Sequence, residues 1–185
     1  MLIPTFTTNR LILKKITHSD YKSYTKHFVD YKVMRHLAAV IPWPYPEHGV
    51  RDYIEQDINP YLGKNKWLWG IFLKGFPSEL IGAIELRLIG NPDNRGFWLG
   101  RKFWGQGIMS EALIPITDYT FSTLGFQELI LTNAVGNQAS HKIKLKMGAH
   151  LLRTESAKFV DPKIDLREVW CFSKDDWKKF QETNS

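Results

Sequence analysis

The sequence predicts a mixed α/β fold in a single domain, with the element order β-α-α-β-β-β-α-β-α-β-β. Three observations predict it. A chain of 185 residues can bury one sizeable core, and 43% hydrophobic with 24% charged residues is a globular composition. Strand patterns follow one another between residues 66 and 101 across short turns, which implies an antiparallel meander. Helical periodicity then alternates with further strand patterns, with no internal repeat and no low-complexity segment.

Arg10 to Ile16 reads as the first strand, bounded by Thr7-Thr8-Asn9 and Thr17-His18-Ser19. Ser19-Asp20 offers a helix N-cap, with Tyr21, Tyr24 and Phe28 at helical spacing behind it. Asp30 to Val40 fits either state. Three prolines between Ile41 and Pro46 exclude a regular helix there and leave Trp43 and Tyr45 as a wall of a cleft or as core packing. Glu47 to Ile58 reads as a second helix, ended by Asn59-Pro60.

Lys66 to Lys74 is a strand, Gly75 to Ser78 a turn, and Leu80 to Leu88 the next strand. In the latter, Ile84, Leu86 and Leu88 alternate with Glu85 and Arg87, which predicts one buried and one polar face. Gly90 to Asn94 forms a turn before the strand Gly96–Arg101. Ile108, Ala112, Leu113, Ile116 and Tyr119 keep helical phase to about Leu124, with Gly125 as the stop and Pro115 as an expected kink. A strand over Gln127–Val135, a helix over Gln138–Met147 and strands over 151–154 and 169–172 complete the fold. From Lys174 the chain reads as a short, peripheral charged tail that Trp177 and Phe180 could anchor.

The single Cys171 excludes an internal disulfide framework and fits a reducing compartment. No apolar run approaches the roughly 20 residues of a membrane span, and the N-terminus has no signal-peptide core, so a cytoplasmic protein is expected. A net charge of +6 suggests an anionic partner. The 25 basic residues are dispersed, however, which favours a solvated surface over a nucleic-acid footprint.

Gly105-Gln106-Gly107 lies between the aromatic strand and the helix that opens at Ile108. A glycine turn at a helix N-terminus offers unpaired N–H groups to phosphate. A nucleotide-hydrolase phosphate loop would require Gly-Lys-Ser/Thr, and Ile108-Met109 follow instead. A dinucleotide fold would require a third glycine where Ser110 stands, together with βαβ units in place of the meander. A protein kinase would require far more chain.

Phe103-Trp104-Gly105-Gln106-Gly107-Ile108-Met109-Ser110-Glu111-Ala112 resembles the acetyl-CoA-binding motif of the GNAT superfamily of N-acetyltransferases. It is most similar to the branch of ribosomal-protein alanine N-acetyltransferases, whose motif runs Trp-Gly-x-Gly followed by Glu-Ala. Thr8 to Leu13 resembles the opening strand of that branch, Gly96 to Leu99 the strand before the motif, and Asn137-Gln138-Ala139-Ser140 its Asn-x-x-Ser helix.

The resemblance implies a GNAT-like fold around a splayed central sheet, and acetyl transfer from acetyl-CoA to a primary amine. The acceptor would be a protein or peptide N-terminal α-amine or a small amine. Backbone N–H groups from Trp104 through Gly105, Gln106, Gly107 and Ile108 to Met109, with Ser110 behind them, would hold the pyrophosphate. Phe97, Trp98 and Leu99 would pair with the pantetheine arm, an N–H near Leu99 serving the oxyanion. Asn137 would bond the cofactor arm, and Lys142 or Lys144 would meet a phosphate.

Two departures stand out. Trp104 and Met109 occupy positions that in the superfamily hold Gln or Arg and Gly or Ala; Trp104 is usual in the branch, whereas Met109 is expected to crowd the turn. The tyrosine acid of many members would fall at Lys144, and in this branch that role passes to a serine, here Ser140, whose other reading is a helix cap. Related sequences often carry Glu ahead of the aromatic strand, but Asn94-Arg95 stands here; Glu85 is the preferred replacement as base and acceptor contact, its other reading an exposed strand carboxylate, and with Asp93, Glu168 and His150 as further candidates the base stays unassigned. Trp43, Tyr45 and the 159–165 loop would line the acceptor site. Homodimerisation, common in the branch, leaves no mark in these residues, and no metal site is expected. A second reading keeps the fold as a non-catalytic acyl-CoA-binding or RNA-associated module.

Overall fold

Alternating apolar residues build two antiparallel sheets. In the computed structural model, which describes residues 3–88 and 93–184, the first sheet pairs β1 (Phe6–Thr7), β2 (Leu11–Lys15), β3 (Lys66–Leu73), β4 (Phe76–Arg87) and β5 (Arg95–Leu99) in chain order. The second contains β6 (Glu128–Ala134), β7 (His150–Ser156) and β8 (Leu166–Ser173), with β8 in the middle. The expected splayed sheet is thus divided in two. The sheets are tied at Asn94, which donates its N–H to the Ile130 carbonyl (2.8 Å) and accepts the Ile130 N–H on its Oδ1 (2.7 Å). Beyond Asn94, β5 and β6 diverge, and no hydrogen bond joins them among the described residues.

The first sheet is buried on both faces. Trp67, Trp69, Ile84 and Leu86 pack toward α4 (Ile108–Ser122). Leu68, Phe72, Leu80 and Ala83 pack toward α1 (Tyr21–Phe28) and the helical segment that begins at Gly49. The polar alternation of β4 therefore does not mark a solvent face: Glu85 lies on the α1 side with its side chain 12% exposed.

The ambiguous stretch contains α2 (Tyr31–Met34), capped by Asp30, whose carboxylate accepts the Lys32 N–H (2.8 Å). The expected second helix is irregular: α3 (Gly49–Asp52) runs into a π-helical turn, Tyr53–Ile58, and a 3-10 turn, Asn59–Tyr61. β4 begins earlier than its apolar residues suggest, at Phe76, and β5 ends at Leu99 where a 3-10 turn, Arg101–Phe103, takes over. Of the expected turn at 90–94, residues 90–92 lie outside the described residues.

Three helices complete the second half. α4 continues through Pro115 to Ser122. α5 (Gln138–Lys146) follows β6. The charged segment after Ser173 is a helix, α6 (Lys174–Asn184), whose Trp177 is 2% exposed and stacks on Phe180 with ring centroids 5.2 Å apart.

Candidate active site

The gap between β5 and β6 organises the site. Gly100 donates its N–H to the Ile81 carbonyl (2.8 Å) and Arg87 donates to Asn94 (2.7 Å). The register between these bonds pairs Trp98 with Ala83 and Gly96 with Glu85. Antiparallel pairs alternate, so Gly96 and Trp98 direct their backbone groups to β4, whereas those of Phe97 and Leu99 face the gap. Trp98 therefore departs from its expected backbone role. Its ring lies on the α1 side against Tyr24 and Phe28, and its indole N–H donates to the Tyr24 hydroxyl (3.2 Å).

The glycine turn stands at the end of β5. Gly105 (φ +73°) and Gly107 (φ +72°) occupy left-handed backbone that side chains disfavour. Among the described residues a Cβ on Gly105 would meet nothing within 4 Å, and one on Gly107 would meet only the Arg10 guanidinium, at 3.7 Å, so the turn is open to a ligand. The first helical bond of α4 runs from the Glu111 N–H to the Gly107 carbonyl (3.0 Å), which leaves the N–H groups of Ile108, Met109 and Ser110 without helical acceptors. This cradle fits a pyrophosphate in shape and in partial charge.

Met109 does not crowd it. Both Ile108 and Met109 are buried beneath α4, away from the turn. Trp104 is half exposed and pins the turn to the strand, its indole N–H donating to the Leu99 carbonyl (2.7 Å). Gln106 donates through Nε2 to the Lys102 carbonyl (3.0 Å).

Three residues that carried the sequence resemblance without an assigned role, Thr8, Arg10 and Glu111, hold the turn from behind. The Glu111 carboxylate accepts from the Thr8 hydroxyl (2.5 Å), the Arg10 N–H (2.8 Å) and the Arg10 Nε (2.6 Å), while Arg10 Nη1 donates to the Gln106 carbonyl (3.0 Å). Burial would raise the Glu111 carboxyl pKa, but these bonds and the Arg10 charge hold it below its ordinary value.

α5 closes the far side of the gap. Asn137 is its cap: Oδ1 accepts the Ser140 N–H (3.2 Å), so Ser140 is not the cap itself. Ser140 is 7% exposed, and its Oγ accepts from Lys144 Nζ (2.7 Å). Lys144 is 2% exposed and lies 5.9 Å from the Phe97 ring centroid, so its expected contact with a phosphate is overturned. Burial, followed by the nearby Arg95 charge, pushes its ammonium pKa down to about 7. Lys142 is exposed, and it is Lys146 that shares a groove of about 260 Å³ with Gly107 and Ser110. A count of basic residues in the last turns of α5 could not separate these three.

On the α1 side, Glu85 accepts from the Tyr53 hydroxyl (2.6 Å) and Arg87 Nε (3.0 Å), and Arg87 Nη1 donates to the Asp93 carbonyl (2.7 Å). Burial and then Glu85 push the Tyr53 phenol pKa well up. Tyr45 joins this wall through Phe28 (5.4 Å), which in turn contacts Trp98 (5.1 Å). Trp43 is set apart from it, 42% exposed against Tyr31. Asp93 accepts from the Thr132 hydroxyl (2.9 Å), and Glu168 from Asn133 (2.8 Å) and His141 Nδ1 (2.9 Å). His150 pairs with Asp176 on α6 and does not belong to the site. The described residues contain no cluster suited to a metal ion.

Comparison with known proteins agrees with this geometry. The family described as acetyltransferase (GNAT) domain matches residues 10–150. The chain is 28% identical over 157 residues to the uncharacterized N-acetyltransferase YoaA of Bacillus subtilis (strain 168), covering 80% of this chain and 83% of that one. Among solved structures, the RimL ribosomal L7/L12 α-N-protein acetyltransferase in complex with coenzyme A superposes with a TM-score of 0.74 at 21% identity, covering 95% of this chain and 99% of that one. RimJ of Mycobacterium smegmatis, in complex with a CoA disulfide, gives a TM-score of 0.78 at 12% identity, covering 93% and 88%. With a glycine turn, a split pair of sheets and a family match over most of its length, the chain belongs to the GNAT acetyltransferases, as an acetyl-CoA-dependent N-acetyltransferase.

Proposed function

We propose that the enzyme acetylates the N-terminal α-amine of a protein or peptide, with Ser140 as the donor to the departing thiolate and Glu85 as the carboxylate that receives the amine. The observation that carries this reading is that the glycine turn and the gap-facing backbone of Phe97 and Leu99 lie on β5 and its continuation, while the buried Ser140 hydroxyl is linked to the same strand through Lys144, which it bonds and which lies over the Phe97 ring. Acetyl-CoA supplies an activated acetyl thioester. The N–H groups of Ile108, Met109 and Ser110 would hold its pyrophosphate, with Arg10 beside Gly107 and Lys146 in the adjoining groove as cations. Phe97 and Leu99 would orient the pantetheine arm, and Asn137, its Oδ1 engaged as the cap, keeps its amide NH2 for that arm.

Glu85 stands directly across the register from Gly96, one residue from the gap-facing Phe97. Its carboxylate already accepts from Tyr53 and Arg87 and has lone pairs left for an ammonium group. It fixes the amine and takes the proton that must leave before nitrogen has a lone pair for attack. A peptide acceptor is favoured over a small amine because Trp43 and Tyr31 form an exposed aromatic pair, set apart from this wall, that suits the chain following the amine rather than the amine itself. The fold is also shared with a structure described as a ribosomal L7/L12 α-N-protein acetyltransferase.

Thiol release from acetyl-CoA tests the reading with peptides bearing free N-termini, the same peptides N-blocked but carrying lysine, and simple amines, the acetyl group being mapped by mass spectrometry. The expected result is transfer to the free N-termini at the highest kcat/KM. Transfer confined to lysine side chains or small amines overturns the acceptor assignment.

A further inference from the structure

Ser140 lies one helical turn before Lys144, and the hydrogen bond between them fixes the direction of the serine hydroxyl. A serine inside a helix commonly turns its proton back to the carbonyl of the preceding turn. Here the Oγ accepts from Lys144 Nζ at 2.7 Å, so its own hydrogen is directed away from the ammonium. Asn137 satisfies the Ser140 N–H and relieves the side chain of capping duty. Lys144 reaches this position because it is enclosed: it is 2% exposed and extends from α5 toward the Phe97 ring on the opposite strand of the gap.

We propose that Lys144 is a positioning residue that acts through Ser140, aiming the serine hydroxyl into the gap and replacing the proton that this hydroxyl gives to the leaving sulfur. The proposal rests on the reading of Ser140 as that donor. As the thioester C–S bond breaks, its electron pair stays on sulfur, the Ser140 proton moves to sulfur, and an ammonium proton of Lys144 moves to Ser140 Oγ. The neutral Lys144 then regains a proton from water through Ser140 once the product has left. One proton enters the thiol and one returns to Lys144 from water, while the acceptor nitrogen loses two, one before attack and one from the tetrahedral adduct, each passing through the base to water.

The surroundings suit a lysine that changes charge near neutrality. Arg95 at the head of β5 is itself buried, its Nη1 donating to the Thr117 hydroxyl of α4 (3.1 Å), and it opposes the Lys144 charge. Asp93 ahead of β5 and Glu168 on β8 support that charge, while His141 on α5 is engaged with Glu168. Burial is the largest influence and brings the ammonium pKa to about 7. Below that pH Lys144 holds the proton it donates, and above it the proton is gone. The relay therefore loses rate as pH rises through neutrality, opposite to the gain from deprotonating the acceptor amine.

The test combines kinetics with a readout independent of turnover. The pH profile of kcat and the KM for acetyl-CoA are measured for wild type, Lys144→Met, Lys144→Arg, Ser140→Ala and the Ser140→Ala/Lys144→Met double variant. Lysine side-chain NMR follows titration in the free protein. Expected are a lysine titrating near pH 7 that Lys144→Met abolishes, a kcat for that variant lowered about tenfold or more, and a KM changed little. Lys144→Arg should retain more of kcat than Lys144→Met and lose the falling limb above neutrality. The double variant should be no slower than Ser140→Ala alone. A folded Lys144→Met with wild-type kcat and falling limb overturns the proposal, as does a double variant whose losses multiply. If Lys144→Met does not fold, a Lys144→Arg that keeps the falling limb overturns it equally. Ser140→Ala at full rate removes the underlying reading and the relay with it; Ser140→Ala slow beside an unaffected Lys144→Met removes the relay alone.

Discussion

At Gly107 a single hydrogen in place of a side chain permits left-handed backbone and keeps the turn open. Its φ of +72° costs most other residues about 1–2 kcal/mol, and among the described residues an added Cβ would meet Arg10 alone within 4 Å. Gly107→Glu adds that strain, sets a negative charge in a turn suited to an anion and offers Arg10 a competing partner. It is expected to weaken acetyl-CoA binding about 100-fold or more by calorimetry, whereas Gly107→Ala carries the strain alone and weakens it less. Unchanged affinity in a folded Gly107→Glu would sink the pyrophosphate assignment. This glycine turn was legible in the sequence because φ and helix start are local. Lys144 was not, because Leu145 beside it is 55% exposed while the lysine is buried, the reverse of what hydrophobicity dictates. Only the three-dimensional approach of α5 to Phe97 and Arg95 decides which of its lysines turns inward.

Among the elements, α6 shows a signal that was present and passed over. Ser173 and Asp176 form a reciprocal cap: the Asp176 carboxylate accepts the Ser173 N–H (2.9 Å), and the Ser173 hydroxyl oxygen accepts the Asp176 N–H (3.1 Å). The Ser-x-x-Asp spacing preceding Trp177 and Phe180 marks a helix start, yet the surrounding lysines and acids give the segment the look of a solvated tail. Trp177→Ala is expected to cost about 3–5 kcal/mol in urea denaturation, since the indole is packed against Phe172 and Phe180. A loss below about 1 kcal/mol would return α6 to the periphery. β4 teaches a related lesson. Ile84 and Leu86 are buried as the alternation predicts, whereas Leu88, just past the strand, is 40% exposed and the polar face meets Tyr53 in place of bulk water, because a period of two reports sidedness and not what covers a side.

For the whole molecule, the order of strands and the meander followed from turn residues and periodicity, which are properties of contiguous chain. The division into two sheets did not, because it depends on Asn94, a residue indistinguishable in sequence from any turn asparagine. Ligand linkage reaches the same scale: acetyl-CoA at about 100 times its Kd should raise unfolding free energy by about 2.7 kcal/mol, measured by thermal or urea melting. No stabilisation at saturating acetyl-CoA would contradict the site as a whole.

The tie at Asn94 has a mechanical meaning. One side chain stands in for a peptide group, so the two sheets are riveted at a point and share no ladder farther out. Widening or narrowing the gap beyond that point breaks no backbone hydrogen bond among the described residues, and its stiffness comes from side-chain contacts such as the Thr132–Asp93 hydrogen bond (2.9 Å). Each sheet keeps its own rigidity while the mouth between them stays compliant. On the proposed reading, a long, thin cofactor arm would enter and leave without unmaking any part of either sheet.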